Sequence, residues 1–248
     1  AELHGTLAAG ICAAAVRRKG KHMRTNARAA ADRRAEEQLD LLLRRYPLLA
    51  QLRPDIGRAY QLLCACYEVG GKLLIAGNGG SAADAEHIVG ELMKGFKQPR
   101  RLSEEQQARL IAESPELGPV LAAHLQQALP AIDLTQHGAL STAVQNDLEP
   151  LLTAAQQVAG YGKPGDVVLG ISTSGNAKNV ALAVGVAKAL GLSTIGLTGG
   201  SGGQLKELCD CAIIAPAHTP ADVQEYHLPI YHTLCAMLEE KFFGETEK

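Results

Sequence analysis

The chain contains no tryptophan, and aromatic residues make up only 4% of its 248 positions. Ala, Leu, Val and Gly are plentiful instead, so the core must be built from small aliphatic side chains. Such a core suits close packing of helices on a parallel sheet. A strong charge of either sign is also missing: the net charge is −2, which leaves no basic field for nucleic acid. One short basic run, Arg17, Arg18, Lys19 and Lys21, reads as a solvated arm. No apolar run reaches the ~18 residues that a membrane span needs. Residues 7–15 are apolar but precede the basic cluster, the reverse of a signal peptide. There are six cysteines, Cys12, Cys64, Cys66, Cys209, Cys211 and Cys235, with no Cys-x-x-Cys pair among them. Their spacing is no disulfide framework, and they read as reduced thiols of a cytoplasmic protein.

The length fits one α/β domain with a well-buried core, or at most two small domains. Residues 1–22 look foreign to the rest of the chain. They end in Gly20-Lys21-His22-Met23, which resembles a cloning junction ahead of a start methionine, with a disordered N-terminal arm as the alternative. Helical periodicity runs over 24–46 and 54–69, the second pattern ending at Gly70-Gly71. Then the rhythm changes. Residues 72–76 read as a buried strand, 77–81 as a glycine loop and 82–93 as a helix. Residues 97–140 are polar, without a clear sheet signal, and read as a helical insertion with helices near 103–113 and 117–127. Helical pieces follow at 139–145 and 148–160. Strands are expected at 166–171, 193–197 and 211–215, helices at 177–190 and up to 208, and a last long helix at about 220–242. Alternating strands and helices give a parallel sheet covered on both faces, with ligands bound beyond the carboxyl ends of the strands.

Four segments carry chemistry. In Ser172-Thr173-Ser174-Gly175-Asn176, three hydroxyls follow a buried strand and precede a helix whose first N–H groups have no internal partner. Those donors, the helix dipole and the hydroxyls suit a phosphate monoester. Gly77-Asn78-Gly79-Gly80-Ser81 is a second backbone cradle, and it matches neither a dinucleotide fingerprint nor a Walker loop. His87 and Glu91 stand at i, i+4, so both face one side of a helix and can share a divalent metal, and a carboxylate there can also move a proton. In the final segment Gln224 and His232 lie eight residues apart, about 80° around a helix. Pro229 sits between them as a point of bending, and His227 competes for the metal role on spacing alone.

Together these segments resemble the SIS (sugar isomerase) family and, within it, the phosphoheptose isomerases. The resemblance rests on Gly-Asn-Gly-Gly-Ser, Asp-Ala-x-His-x-x-x-Glu, Asn-Asp, Gly-Ile-Ser-Thr-Ser-Gly-Asn, Leu-Thr-Gly and Gln-Glu-x-His in order, from about residue 54 to 243. It implies an α/β fold: a doubly wound parallel five-stranded sheet flanked by helices, with N-terminal helices and a long C-terminal helix, residues 23–248 forming one SIS domain. It implies conversion of sedoheptulose 7-phosphate to D-glycero-D-manno-heptose 7-phosphate through a zinc-stabilised cis-enediol, in a homotetramer with one Zn2+ per subunit. By resemblance Glu91 is catalytic base and metal ligand, His87 a metal ligand, and Gln224 a contact to substrate and metal. His232, rather than His227, is metal ligand and general acid. Asn78, Gly79, Gly80, Ser81, Asn146, Asp147, Ser172, Thr173 and Ser174 match substrate-binding positions.

Three departures bear on the sugar. Ala177 replaces a serine common after Ser-Gly-Asn in the family, the stretch between Glu91 and Asn146 is longer, and Gly95 stands where a basic residue is usual, with Lys94 and Lys97 nearby. Within the same family type, a non-catalytic sugar-phosphate sensor and a protein-binding scaffold are the alternatives to an isomerase.

Overall fold

The computed structural model describes residues 27–244. The foreign-looking tail at residues 1–22, and Cys12 within it, lie outside the described residues. Among the described residues no helix is long and apolar enough to cross a membrane. Helix α1 covers 27–45 as far as it is described. After it come α2 (Arg53–Glu68), β1 (Leu73–Ala76), α3 (Gly80–Met93), α4 (Glu104–Glu113), α5 (Gly118–His124) and β2 (Ala131–Asp133). The chain continues with α6 (Gly138–Asp147), α7 (Thr153–Tyr161), β3 (Val167–Ile171), α8 (Lys178–Ala189), β4 (Ser193–Gly199), α9 (Gly203–Leu208), β5 (Cys211–Ala215) and α10 (Pro220–Phe243).

All five strands are parallel, in the order β2-β1-β3-β4-β5. The doubly wound sheet is therefore the architecture expected. β1 and β3 are apolar along their whole length, as strands buried on both faces must be. Alternate side chains divide between two cores. Leu73, Ile75, Val167 and Leu169 face a core completed by Leu39, Ile56, Ile88, Leu92, Ile230 and Leu234. Leu74, Ala76 and Val168 face a second one, with Val158, Val180, Val184 and Leu205. Helices α1, α2, α3 and α10 thus cover one face, and α7, α8 and α9 the other.

Strand order reverses at β1. From β1 the chain crosses to β2 on one side, and β3 pairs on the other with Leu73 opposite Val167. The crevice at the carboxyl ends of β1 and β3 is the place where such sheets bind ligands. The glycine loop after β1 and the hydroxyl loop after β3 meet there.

Several local expectations are corrected. The polar segment without a sheet signal contributes β2, an edge strand of three residues, too short to show a period of two. The helix expected at 117–127 is shorter, because the chain returns at Gln126 and Gln127 to bond with Arg100 and Arg101. Helix α3 begins at Gly80, so Gly80 and Ser81 belong to its first turn rather than to the loop. β4 extends two residues past its expected end at 197, through Thr198 and Gly199. Helix α10 runs through Pro229, and the Thr233 hydroxyl donates to the Pro229 carbonyl at 2.8 Å. Cys64, Cys66, Cys209, Cys211 and Cys235 are free thiols.

Candidate active site

Helix α3 buries Ala85, Ile88 and Leu92 toward the sheet, which turns His87 and Glu91 along its adjoining face toward α10. His87 Nε2 lies 3.1 Å from Glu91 Oε1, as i, i+4 spacing allows. Helix α10 crosses α3 and brings His232 Nε2 to 3.3 Å from His87 Nε2. Each of the three residues offers a ligand atom, all within 4.8 Å of one another. The His87 side chain is 43% exposed and Glu91 14%, so the cluster is open on one side and seated on the other.

The donor set fits a divalent cation. Two imidazole nitrogens and a carboxylate oxygen are borderline ligands of the kind that hold zinc and its neighbours. Glu91 Oε2 is buried without a hydrogen-bond partner, and Lys94 Nζ, at 3.9 Å, is too far to bond it. Burial and the neighbouring His87 push the His232 pKa down, which favours the neutral ring that a metal needs.

His227 is elsewhere. It is fully buried against β4, with Nε2 3.1 Å from the Thr198 carbonyl, and burial lowers its pKa to about 4 although that bond opposes the shift. The five residues from 227 to 232 turn about 140° around α10, so one histidine meets the sheet and the other meets α3.

Gln224, two turns before His232, lies against Gly80: a Cβ on Gly80 would fall onto the Gln224 amide. Next to it, Val223 packs on Gly199, and the Thr173 carbonyl touches the same spot. The N-terminus of α10 therefore bridges the hydroxyl loop to the start of α3, and from there the helix face leads to the cluster. Ser172 is buried, while Thr173 and Ser174 are more open. Ser174 Oγ accepts from Asn176 N at 3.2 Å. Helix α8 begins at Lys178 with Ala177 as its N-cap and no side-chain cap, so its first N–H groups stay free for an anion.

Asn78 exchanges two amide hydrogen bonds, 2.9 and 2.8 Å, with Asn179 of α8. The pair sits on a cleft of about 440 Å³ that includes Gly77, Gly79, Thr135, Ser141 and Gln145. Gly79 has φ +54 and is the N-cap of α3. Asn146 and Asp147 stand just beyond this cleft at the end of α6, exposed and bonded to each other at 2.7 Å. The structure thus gathers His87, Glu91 and His232 into one cluster, and brings Gln224 onto Gly80 and Val223 onto Gly199 beside the Thr173 carbonyl. It leaves Asn146 and Asp147 to one side.

Sequence reasoning missed three residues here. Asn179 pairs with Asn78, the Phe96 ring lies 5.3 Å from that of His232, and the Tyr231 hydroxyl is 3.0 Å from His87 Nδ1. Only Tyr231 left a trace, as the neighbour of His232.

Residues 141–239 match the SIS domain family. The phosphoheptose isomerase of Geotalea daltonii is 41% identical over 195 residues, covering 79% of this chain and 88% of that protein. Among solved structures, a phosphoheptose isomerase from Francisella tularensis superposes with a TM-score of 0.65 at 31% identity, covering 83% of this chain and 96% of that one. The phosphoheptose isomerase of Neisseria gonorrhoeae gives 0.61 at 29% identity, with 86% and 96% covered.

Proposed function

Since the chain belongs to the phosphoheptose isomerase family of SIS-domain isomerases, we propose that it interconverts sedoheptulose 7-phosphate and D-glycero-D-manno-heptose 7-phosphate. The observation that carries this reading is the His87–Glu91–His232 cluster on α3 and α10, the two helices whose first turns meet at Gly80 and Gln224. An aldose–ketose isomerase needs an anchor for phosphate, a base that moves a proton between adjacent carbons, and an electrophile for the oxygen that gains charge.

Each part has a candidate. Ser172, Thr173 and Ser174, with the uncapped N-terminus of α8, anchor the phosphate and thereby set the position of the reacting carbons. Asn78, Gly79, Gly80 and Ser81 stand at the start of α3 where the sugar passes, and Asn146 and Asp147, exposed to one side at the end of α6, would contact it only by turning in. Glu91 takes the proton from one carbon and returns it to the next, by way of a cis-enediol. His232, held neutral, relays a proton between the two oxygens. Zinc, one per subunit, would be held by His87, Glu91 and His232, with Gln224 as fourth ligand once its amide swings from Gly80 toward them, and would act on the developing oxyanion as a Lewis acid. The same proposal carries the homotetramer, for which light scattering gives the mass.

The test is proton exchange in deuterated water over a panel of C5 to C7 ketose phosphates, which detects enediol chemistry even where equilibrium hides net conversion. Exchange is expected with the C7 substrate and lost in Glu91→Gln, by about 10²–10⁴-fold. Binding without exchange would mark a sensor and overturn the reading.

A further inference from the structure

A cavity of about 220 Å³ lies between α1 and α10, with His232 in its wall. It is smaller than the ~300–1,000 Å³ pockets that enclose a whole organic ligand, so it suits a small ion. Two cations line it: Arg45 at the end of α1, and Lys97 in the bend that follows α3. No carboxylate does. Among the described residues neither Arg45 nor Lys97 has an ion-pair partner. Neutral groups hold them instead. The Lys97 ammonium donates to Gln38 Oε1 at 2.7 Å, and the Arg45 guanidinium lies 5.6 Å from the centroid of the Tyr46 ring. The acids nearby are already engaged. Glu239, which accepts from the Lys97 backbone, pairs with Arg100, and Asp40, two residues from Gln38, pairs with Arg53.

Two like charges therefore face one cavity with nothing to offset them. The apolar part of the wall, Leu41, Leu42, Phe96 and Leu228, lowers the local dielectric and strengthens the pull of both cations on an anion. We propose that this cavity binds a small phosphate-type dianion between Lys97 and Arg45. The ligand would take a charge-assisted hydrogen bond from each cation, and the Gln38 amide can turn its N–H toward a third oxygen. Lys97 can leave Gln38 for the ligand without a change of fold, because its backbone is fixed through Glu239. The site is separate from the hydroxyl loop. Gln224 stands at the α10 terminus near that loop, and His232 comes eight residues later, about 12 Å along the helix. It also differs in chemistry, since the hydroxyl loop offers neutral donors and this cavity offers formal charge.

Titration calorimetry with inorganic phosphate tests it on the full-length protein, treated with chelator so that no metal takes up phosphate. A background carrying Thr173→Ala and Ser174→Ala weakens the hydroxyl loop and lets the second site be read alone. Phosphate should still bind there. Lys97→Gln or Arg45→Gln in that background should weaken it by about 10–100-fold, as loss of a hydrogen bond from a charged group does. Lys97→Arg should restore binding, because it keeps the charge. Both side chains are exposed, so the variants should fold, and thermal melts check that they do. Raising the salt concentration should weaken phosphate binding in the background protein more than in Lys97→Gln. Glycerol 3-phosphate forms a second arm. Affinity equal to that of inorganic phosphate assigns the site to a phosphoryl group on a larger molecule, and weaker binding assigns it to the free ion. Equal phosphate affinity with and without Lys97→Gln and Arg45→Gln would overturn the proposal. So would loss of all binding in the hydroxyl-loop background, or no binding to the wild type.

Discussion

Arg100 and Glu239 form an ion pair from which water is excluded. Both are 1% exposed, and Nε and Oε1 are 2.8 Å apart across 139 positions of chain. Glu239 also accepts from the backbone N–H of Phe96 and Lys97, at 2.8 Å each. Arg100 spends its other donors on the carbonyls of Leu92 and Glu91, at 2.7 and 2.9 Å. The pair thus ties the last turn of α3, which carries Glu91, to α10, which carries His232 two turns earlier. Removing one partner of such a pair leaves a buried charge alone and costs about 3–5 kcal/mol. Arg100→Met should therefore lower the unfolding free energy in urea by an amount in that range. It should also weaken zinc binding, because the end of α3 loses two donors. Unchanged urea stability would remove the pair from any structural role.

Two glycines separate a movable contact from an immovable one. At Gly80 the added methyl of alanine meets the tip of the Gln224 side chain, which can swing away. At Gly175 it meets the Gly202 carbonyl, and φ is +68, where an L-residue is strained. Gly80→Ala should fold with stability within ~1 kcal/mol of wild type but show reduced turnover, since Gln224 is displaced. Gly175→Ala should lose about 1–3 kcal/mol or more. Chemical denaturation and steady-state kinetics on the two variants distinguish the cases, and equal losses of stability would show that the two contacts are equally rigid.

The legible part of this site is what local periodicity sets. Residues 73–76 and 167–171 announce themselves as apolar runs, and His87 and Glu91 as an i, i+4 pair. What stayed hidden depends on how elements cross. β2 is three residues long and pairs on one side only, so its sequence carries no pattern. Spacing on α10 could not choose between His227 and His232, because their difference is which face of the helix meets α3. Tyr231 adjoins His232, yet neighbours on a helix point about 100° apart, so only the packing of α10 on α3 aims both at His87. Gln224 is brought to Gly80 by that same crossing.

His227 makes the fold sensitive to acid. Its pKa is about 4 in the native state against 6.5 unperturbed, with burial as the main cause. Between those values the unfolded chain binds the extra proton and the native one does not, so stability rises with pH. The contribution is complete above about pH 6.5 and is lost progressively as pH falls to about 4, amounting to about 3 kcal/mol. His227→Gln should be less stable at pH 7.5 from imperfect packing, yet its stability should fall less between about pH 6.5 and 4. Urea melts of the two proteins at a series of pH values give the difference directly. Parallel pH curves would show that another group supplies the dependence.

Ala177 stands where the resemblance to the family leads one to expect a serine. It is the N-cap of α8, with φ −66 and ψ 110, and it leaves the helix without a side-chain cap. Those angles accept serine without strain. A serine oxygen there could accept from an early N–H of α8, which stabilises by about 0.5–2 kcal/mol. The same hydroxyl still has its proton to donate, so capping and phosphate binding do not compete. Ala177→Ser is expected to raise the urea midpoint and to lower KM for the phosphosugar, while kcat stays near its value because the phosphate lies far from the carbons that exchange protons. Higher stability with unchanged KM would mean that the phosphate sits away from the α8 terminus, and the anchor assigned to Ser172, Thr173 and Ser174 would then need another partner.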